Sequence, residues 1–312
     1  MDNISGAIET AKKELPYIGC RLNESMVYHT SLRIGGCLRA MFFPANKEEL
    51  MKLCDLLHKY EISPLIIGNG TNLLTDDSGP LEIVAIKTTG INHIDRTDEA
   101  EITAGAGIAL SELAAFARDC GLSGLECMHG IPGSLGGAVA MNAGAYGREM
   151  RDIVRSTTVY NHEAGVFTIT AGEHEFSYRR SRFADTGDII LSSVIALQKG
   201  DKRSIGAKMD ELSVRRRESQ PYGLPSAGSA FKRPENGYAA ALIEQAGLKG
   251  FSIGGAQVSV KHAGFIINKG GASFSDVIGV IEHVQEAVFR QTGIKLEPEI
   301  KIIRGGTIWK SQ

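Results

Sequence analysis

One segment, Gly130 to Gly147, constrains the fold of this chain more than any other. It reads GIPGSLGGAVAMNAGAYG, and six of its 18 residues are glycine. Alanine fills much of the rest, so few bulky side chains stand on this backbone. A flat, extended ligand can lie directly on such a backbone, because any Cβ would hold it away. Since ordinary loops do not need so many small residues, the segment indicates a ligand-binding surface.

A second glycine segment, Gly68 to Leu74 (GNGTNLL), directly follows a short apolar strand that ends at Ile67. Two glycines that flank an asparagine can turn several backbone N–H groups toward one point, and such a nest binds phosphate without a lysine. A plain tight turn explains the same residues equally well. The chain has neither a Rossmann fingerprint nor a P-loop nor a Gly-x-Ser-x-Gly elbow, which disfavours those three chemistries.

The composition excludes several classes of protein. Lys and Arg number 34 and Asp and Glu 36, so the chain lacks the basic excess of a nucleic-acid binder. No apolar stretch approaches ~18 residues and the start, Met1 to Glu14, does not read as a signal peptide, so no membrane span is expected. Five scattered cysteines indicate reduced thiols in a cytoplasmic protein. Cys127 and His129 lack a second pair of ligands, so no metal site is expected.

Hydrophobic periodicity predicts an α+β chain. Before residue 200 strands outnumber helices, and Asn46 with Glu49 forms a capping box for the first clear helix. After the polar residues 199–203, the clearest helix is expected to be capped by Ser275 and ended by Gly293. We therefore place a domain boundary near residue 200. The predicted helices are 46–60, 109–120, 204–218, 236–247 and 275–292, and the predicted strands are 63–68, 82–87, 153–160, 165–169, 188–197 and 294–304.

Two charged segments are candidates for chemistry. Residues 178–183 (YRRSRF) place three arginines between aromatic residues, which favours at least one arginine held toward an anion. Residues 296–300 (LEPEI) place Glu297 and Glu299 on one face of the last predicted strand. The proline within them implies an edge or a bulge, and periodicity cannot choose between the two glutamates.

A third segment, residues 225–234 (PSAGSAFKRP), is a compact polar turn. Ser229 lies between a glycine and an alanine and is sterically open, and Lys232 and Arg233 supply two positive charges nearby. A surface turn with a basic tip explains the same residues equally well.

Seven motifs together resemble the UDP-N-acetylenolpyruvoylglucosamine reductase family, which are flavoenzymes of peptidoglycan precursor synthesis. The motifs follow the family's order from about residue 30 to residue 303. One of them alone would carry little weight, but seven in register are highly specific. They are HTSLRIGG (29–36), IIGNGTNLL (66–74), GIPGSLGGAVAMNAGAYG (130–147), YRRSRF (178–183), GSAFKRP (228–234), KHAGFIIN (261–268) and LEPEI (296–300).

The resemblance implies an FAD-binding domain of the vanillyl-alcohol-oxidase (PCMH) type at residues 1–200, in two lobes of about 1–88 and 89–200. A smaller α/β substrate-binding domain would follow at residues 201–312. The first glycine segment would hold the pyrophosphate of a non-covalent FAD, and the second would run along its ribityl chain and isoalloxazine. The implied FAD contacts are Arg33, Gly68, Asn69, Gly70, Thr71, Asn72, Leu73, Leu74, Gly130, Ile131, Pro132, Gly133, Ser134, Gly136, Gly137, Ala138, Asn142 and Gly144.

The implied reaction reduces the enolpyruvyl group of UDP-N-acetylglucosamine enolpyruvate to the lactyl ether of UDP-N-acetylmuramate. An enol ether resists hydride, so its carboxylate must be made electron-withdrawing. By resemblance, Arg179 and a protonated Glu299 do this. NADPH would first reduce the FAD, whose N5 would then pass hydride to the substrate, and Ser229 would give its proton to the α-carbon as general acid.

The implied substrate contacts are Lys232, Arg233 and His262, the first two at the UDP diphosphate. The short separation between Arg179 and Ser229 is typical of the family's second class, which lacks an extra substrate-covering loop. Contacts made by that loop therefore do not carry over to this chain. Thr71 stands where the family usually has serine and keeps the hydroxyl.

Two other functions compete with the reductase. An FAD-dependent alcohol or sugar oxidase needs a base for a hydroxyl, whereas Arg179, Ser229 and Glu299 supply an acid for an enolate. A nucleotide-binding module without turnover would not give a yellow protein that NADPH bleaches. The expected partner is a small-molecule substrate, with no nucleic acid and no membrane, and the protein is expected to be a monomer.

Overall fold

The computed structural model describes residues 2–235, 237–305 and 307–309. Contacts divide the chain into two compact units. Unit 1 comprises Met1–Leu22, Ala40–Asn69 and Ile83–Val214, and unit 2 comprises Asn23–Arg39, Gly70–Glu82 and Arg215–Gln312. The helices in the described residues are α1 (Asn3–Glu14), α2 (Lys47–Lys59), α3 (Leu110–Asp119), α4 (Leu135–Ala140), α5 (Lys202–Ser219), α6 (Ala239–Gln245) and α7 (Phe274–Thr292).

Most strands are short, as expected for an α+β chain with many turns. They are β1 (Gly19–Ser25), β2 (Cys37–Phe43), β3 (Leu65–Ile67), β4 (Leu73–Thr75), β5 (Leu81–Lys87), β6 (Ile94–Asp98), β7 (Glu101–Gly105), β8 (Leu122–Ser123), β9 (Gly144–Ala145), β10 (Arg148–Glu149), β11 (Val154–Asn161), β12 (Gly165–Thr170), β13 (Ile189–Ala196), β14 (Gln198–Lys199), β15 (Ser226–Ser229), β16 (Ser252–Ile253), β17 (Ala256–Val258), β18 (Phe265–Asn268), β19 (Lys301–Arg304) and β20 (Thr307–Trp309).

Unit 1 is built on two larger sheets, each with its own apolar core. One sheet has the strand order β1-β2-β5-β3, and the other the order β12-β11-β13-β7-β6. Leu50, Leu53 and Leu57 recur every three or four residues along α2, so one face of that helix is buried in the core of the first sheet. Leu110 and Leu113 do the same for α3 beside the second sheet.

Unit 2 contains a four-stranded antiparallel sheet in the order β15-β18-β17-β16. Its core includes the apolar face of α7, where Val277, Val280, Val284 and Val288 are fully buried. A second sheet has the order β20-β19-β4, with β19 parallel to β4. This pairing brings the end of the first glycine segment, Leu73 and Leu74, next to the chain that follows the LEPEI motif.

The expected helix at 46–60 is confirmed as α2, and its cap is the predicted one. The Asn46 side chain accepts a hydrogen bond from the Glu49 N–H at 2.9 Å, and the Glu49 carboxylate accepts one from the Ala45 N–H at 2.8 Å. The predicted strands before residue 200 and the helices at 109–120 and 204–218 are confirmed with shifts of one or two residues. The predicted α+β class is likewise confirmed.

Two predicted helix starts need correction. Ser273, not Ser275, caps α7, because Ser273 and Asp276 exchange hydrogen bonds between side chain and backbone in a capping box. The helix expected at 236–247 begins only at Ala239, with Tyr238 as its N-cap, and Asn236 lies outside the described residues. Gly247 follows α6 with a φ of +73°, the conformation expected of a glycine that ends a helix.

The strand expected at 294–304 is mostly wrong. Only Lys301–Arg304 forms a strand, and residues 296–300 run instead beside residues 230–232. Pro298 explains the difference, because proline has no N–H to donate to a ladder, and it makes only an isolated bridge with Phe231.

The capping box of α7 leads to a prediction about acid stability. The backbone N–H of Ser273, with that of Gly255, lowers the pKa of the Asp276 carboxyl. A lowered pKa adds stability above the unfolded value of ~3.9, and this stability is lost as the pH falls through the folded value. Asp276→Asn is therefore expected to cost about 0.5–2 kcal/mol at pH 7. The difference in thermal midpoint from the native chain should shrink below about pH 4.

The matched control for this prediction is Glu282→Gln, an exposed carboxylate on the same helix. It should leave the midpoint nearly unchanged at both pH values. A constant difference between Asp276→Asn and the native chain from pH 7 to pH 3 would contradict the assignment.

The bounds of the two units differ from the predicted domains 1–200 and 201–312, because residues 23–39 and 70–82 cluster with the chain after 214. The division into folding domains, with lobes of about 1–88 and 89–200, stays a prediction.

In the described part of the chain, no helix combines the length and apolar character that a membrane crossing requires.

Candidate flavin and substrate site

The first glycine segment, Gly68–Leu74, lies partly in each unit, with Gly70 to Leu74 in unit 2. There Gly70 packs against residues of the HTSLRIGG motif. A Cβ on Gly70 would stand 1.8 Å from the carbonyl oxygen of His29, and the Ser31 N–H donates to the Gly70 carbonyl at 3.1 Å. Arg33 continues this turn with a φ of +55° and an exposed side chain. The structure therefore places the HTSLRIGG motif, which includes Arg33, against the first glycine segment through His29 and Ser31.

In unit 1 the same segment meets the second glycine segment, Gly130–Gly147. A Cβ on Gly68 would stand 2.0 Å from the Ser134 hydroxyl oxygen, and one on Gly137 would stand 3.5 Å from it. The Ser134 hydroxyl is buried and has no hydrogen-bond partner among the described residues. Two predicted ligand segments thus share a cradle that contains an unsatisfied buried hydroxyl, which in native proteins calls for an explanation.

The glycines of the second segment serve more than one purpose. A Cβ on Gly136 would stand 2.9 Å from the Cβ of Ala106, and a Cβ on Gly144 would stand 2.3 Å from the Arg148 carbonyl oxygen. At these two positions the close packing of the chain on itself accounts for glycine. Gly137 is exposed, and a Cβ added to it would meet only the Ser134 hydroxyl within 4 Å outside its own helix, so close packing does not account for glycine there.

Asn142, a predicted FAD contact, is fully buried and adopts a φ of +44°. Its Nδ2 donates to the Glu149 carboxylate at 2.9 Å and to the Ser177 carbonyl at 3.0 Å, and its Oδ1 accepts from the Arg151 N–H at 3.0 Å. The amide is thus engaged with the protein at both ends. The remaining predicted contacts in this segment, from Gly130 to Ala138, surround α4 and the turn before it.

The YRRSRF motif forms a tight turn, which we call the arginine turn (Ser177–Arg180). Ser177 and Arg180 exchange backbone hydrogen bonds at 3.0 and 3.3 Å, so Tyr178 and Arg179 occupy its tip. Arg179 has a φ of +56°, and its guanidinium carbon lies 4.9 Å from the centre of the Tyr178 ring. The turn therefore presents Arg179 in a conformation that non-glycine residues rarely adopt.

The other two arginines of the motif pair with carboxylates of unit 1. Arg180 lies 2.5 Å from Asp185, and Arg182 lies 3.2 Å from Asp188. The sequence analysis did not assign these partners, although a charge of opposite sign follows each arginine five or six residues later. Arg180 and Arg182 therefore stabilise the local structure through these ion pairs.

A buried histidine lies beneath the arginine turn. His174 is fully buried. Its Nδ1 is hydrogen-bonded to the Thr170 carbonyl at 2.7 Å, and its Nε2 is hydrogen-bonded to the Thr157 hydroxyl at 2.8 Å. Its ring stacks on Phe176, which directly precedes the turn, at 4.7 Å between centres. Burial lowers the pKa of His174, so the ring is neutral near pH 7. The sequence analysis missed this residue, because a lone histidine carries no spacing signal.

In unit 2, Ser229 ends β15 at a bulge. Ser226 pairs with Ile267 and Ser229 with Phe265, so the register shifts between them. Gly228 fills the bulge with a φ of +79°, a conformation that glycine adopts without strain. The bulge leaves the Ser229 side chain exposed at the end of the strand.

The structure distinguishes the two glutamates of LEPEI. The Glu297 carboxylate pairs with the Lys232 ammonium, and the Glu297 carbonyl accepts from the Lys232 N–H at 2.8 Å. Glu299 pairs instead with the residue next to the serine: its N–H donates to the carbonyl of Ala230, which follows Ser229, at 2.9 Å. Asn72 then donates its amide to the Glu299 carbonyl at 3.1 Å. Glu299, Ser229 and the first glycine segment are thus joined within unit 2.

Two of the predicted substrate contacts have defined local roles. The Nδ1 of His262 accepts a hydrogen bond from the Gly264 N–H at 3.1 Å, so its Nε2 carries the proton. Burial lowers the pKa of His262, which keeps the ring neutral. Arg233 stacks on Tyr238 at 4.1 Å and donates to the Gly237 carbonyl at 3.2 Å.

Comparisons with known proteins agree with this division of motifs. The FAD binding domain family matches residues 38–170, and the C-terminal domain of UDP-N-acetylenolpyruvoylglucosamine reductase matches residues 220–303. These matches confirm the predicted FAD-binding fold with a separate C-terminal domain.

Full-length relatives resemble the chain over nearly its whole length. UDP-N-acetylenolpyruvoylglucosamine reductase from Caldanaerobacter subterraneus subsp. tengcongensis is 45% identical over 282 residues, which cover 90% of this chain and 93% of that one. The enzyme of the same name from Agathobacter rectalis is 42% identical and covers 95% of this chain and 98% of its own. The crystal structure of the reductase from Thermus caldophilus superposes with a TM-score of 0.78 at 32% identity, covering 92% of this chain and 99% of that one.

Proposed function

This chain belongs to the UDP-N-acetylenolpyruvoylglucosamine reductase family, and on that premise we propose that it uses NADPH to reduce UDP-N-acetylglucosamine enolpyruvate to UDP-N-acetylmuramate. The chain is an FAD-dependent oxidoreductase of that family. The observation that supports the finer proposal is the pairing of residues 297–299 with residues 230–232, which bonds Glu299 to Ala230, the residue after Ser229, and engages Glu297 with Lys232. The five cysteines are free thiols, which supports action in a reducing cytoplasm.

The residues present fit a bound flavin nucleotide. The buried Ser134 hydroxyl without a partner among the described residues, next to Gly68 and Gly137, offers a hydrogen bond where a side chain would block approach. We propose that both glycine segments and Arg33 hold FAD non-covalently, through the contacts that the family resemblance implies. When bound, FAD takes up a hydride from NADPH and supplies it to the β-carbon of the enolpyruvyl group.

The chain's own residues must make that carbon accept a hydride. Arg179 would bind the substrate carboxylate with its charge and draw electron density from the double bond. Glu299 would share a proton with the same carboxylate rather than repel it. Both interactions strengthen as negative charge develops, so they lower the barrier and not merely the KM.

Ser229 would then complete the reduction by giving its hydroxyl proton to the α-carbon. A serine hydroxyl is a weak acid, so this transfer requires the strongly basic enolate as acceptor. Lys232 and Arg233 are proposed to meet the UDP diphosphate, and His262 to contact substrate through its Nε2–H. The Lys232 ammonium is held by its ion pair with Glu297.

Steady-state turnover tests the proposal. The purified protein should consume NADPH only when UDP-N-acetylglucosamine enolpyruvate is present, and the product should gain two hydrogen atoms by mass. Oxygen uptake with alcohols or sugars should stay at background. NADPH-independent oxygen uptake with an alcohol would instead favour the oxidase, and a colourless protein without turnover would favour a plain nucleotide-binding module.

Gly68→Ala tests the flavin cradle itself. The new Cβ would stand 2.0 Å from the Ser134 hydroxyl oxygen and 3.1 Å from the Ser134 Cβ, so this side chain must shift from its place in the cradle. Overpacking of this kind costs about 1–3 kcal/mol, so FAD affinity should fall by roughly 5- to 150-fold. The measurement is the ratio of FAD to protein after dialysis against dilute FAD.

Gly172→Ala is the matched control for flavin content. Gly172 belongs to the same unit, and a Cβ added to it would have open space for 4 Å around, so this variant should keep its full flavin content. Full FAD occupancy in Gly68→Ala, with native affinity, would show that this cradle does not hold the cofactor.

A further inference from the structure

The arginine turn is tied at both flanks to the second glycine segment. On one side, the Asn142 amide donates to the Ser177 carbonyl at 3.0 Å. On the other, the Ser181 hydroxyl donates to the Ala140 carbonyl at 2.7 Å. Ser181 is 1% exposed and Asn142 is fully buried, so water does not compete for either bond. Two buried hydrogen bonds thus bracket the tip that carries Arg179.

The turn needs such support because its tip is strained. Arg179 has a φ of +56°, which costs a non-glycine residue on the order of 1–2 kcal/mol. Strained backbone persists only when its surroundings over-determine it. His174 stacks on Phe176 and lies edge-on to Phe183 at 6.2 Å between ring centres, so it supports both ends of the motif.

The hydrogen bonds of Asn142 suit it to a structural task. Both of its amide hydrogens and its amide oxygen are used within the protein, on Ser177, Glu149 and Arg151. Its side chain therefore has no remaining hydrogen for a ligand. The residue also tolerates its φ of +44°, which asparagine adopts more readily than most residues.

We propose that Asn142 and Ser181 are positioning residues that fix the arginine turn on the second glycine segment and so hold Arg179 in the orientation that binds the substrate carboxylate. The inference rests on the proposed function, because Arg179 acquires its role there. It assigns to Asn142 a task different from the flavin contact expected from the sequence. Neither residue needs to touch the substrate.

The primary test is Ser181→Ala, which removes one tie and adds no bulk. It should lower kcat/KM for the enolpyruvyl substrate about tenfold, the effect of one buried hydrogen bond. Binding of UDP-N-acetylglucosamine, which lacks the carboxylate, should change less than twofold. This difference separates positioning of Arg179 from general loss of structure, which would weaken both ligands.

Asn142→Asp provides a second handle, since it keeps the acceptor oxygen and loses the donors to Ser177 and Glu149. It should show the same selective loss of the carboxylate-bearing ligand. The matched control is Ser123→Ala, a half-buried serine of the same unit that donates to the Glu126 carboxylate at 2.7 Å, outside the contacts of the arginine turn. It should lower the thermal midpoint without changing the ratio of the two affinities.

A double-mutant cycle with Arg179→Ala tests whether Ser181 acts through Arg179. If Ser181 acts through Arg179, then Ser181→Ala should have less than a twofold effect on kcat/KM once Arg179 is gone. Effects that multiply in the double variant would overturn the positioning role while leaving Arg179 in place. An Arg179→Ala variant with native kcat/KM would instead show that the proposed function is wrong at this residue.

Discussion

Ser229→Ala should leave reduction of the flavin by NADPH unchanged and nearly abolish reoxidation by the enolpyruvyl substrate. The serine hydroxyl is proposed to give its proton only after hydride has reached the substrate, so the first half-reaction does not need it. General acid catalysis typically contributes 10²–10⁴-fold, and the second half-reaction should slow by about that factor. Anaerobic stopped-flow absorbance measures the two half-reactions separately.

The position of Ser229 makes this variant conservative. The residue ends β15 beyond the bulge at Gly228, and its side chain is exposed, so loss of the hydroxyl removes no buried contact. Ser226→Ala, three residues earlier on the same strand, is the matched control and should behave as the native chain. Normal turnover of enolpyruvyl substrate by Ser229→Ala would contradict the role of Ser229 as acid.

Glu299→Gln should impair the same half-reaction by about 10- to 100-fold. A carboxylic acid can share its proton with the substrate carboxylate in a short, charge-assisted bond, whereas an amide has no acidic proton to share. A hydrogen bond to a charged group contributes roughly 1.5–3 kcal/mol, and the loss of one such bond corresponds to that range of rates. Flavin reduction by NADPH should again be unaffected.

Glu297→Gln is the control that the chain itself offers, two residues away on the same segment. Glu297 is paired with Lys232 and its side chain is 56% exposed, and exposed ion pairs contribute little. This variant should retain nearly native kcat. Equal loss of activity in both variants would show that the backbone pairing does not distinguish the two glutamates chemically.

Local signals in the sequence predicted five of the seven helices in the described residues but only a minority of the strands. The capping box at Asn46 and the apolar stripe of α7 both depend on residues within four positions of each other, and both formed as expected. The cap of α7 was misplaced by two residues, although Ser273 and Asp276 have the spacing of a capping box. Pro298 indicated an interruption of the strand, but the predicted strand was continued through it from residue 294.

Contacts between distant segments were not predictable from periodicity. Residues 23–39 and 70–82 belong to unit 2 because of bonds such as Asn268 Nδ2 to the Leu32 carbonyl and the Phe274 N–H to Asp77, both at 3.0 Å. Periodicity also could not distinguish Glu297 from Glu299, because the difference arises from their backbone pairing with the distant residues 230–232. The tie from Asn142 to Ser177 spans 35 residues and leaves no spacing signal.

The most direct test of the reductase proposal is a single anaerobic turnover. The yellow protein is first bleached with one equivalent of NADPH, and then mixed with UDP-N-acetylglucosamine enolpyruvate in the absence of oxygen. We expect the absorbance of oxidised flavin to return in full and UDP-N-acetylmuramate to form in an amount equal to the flavin reoxidised. Flavin that stays bleached until oxygen is admitted would contradict it.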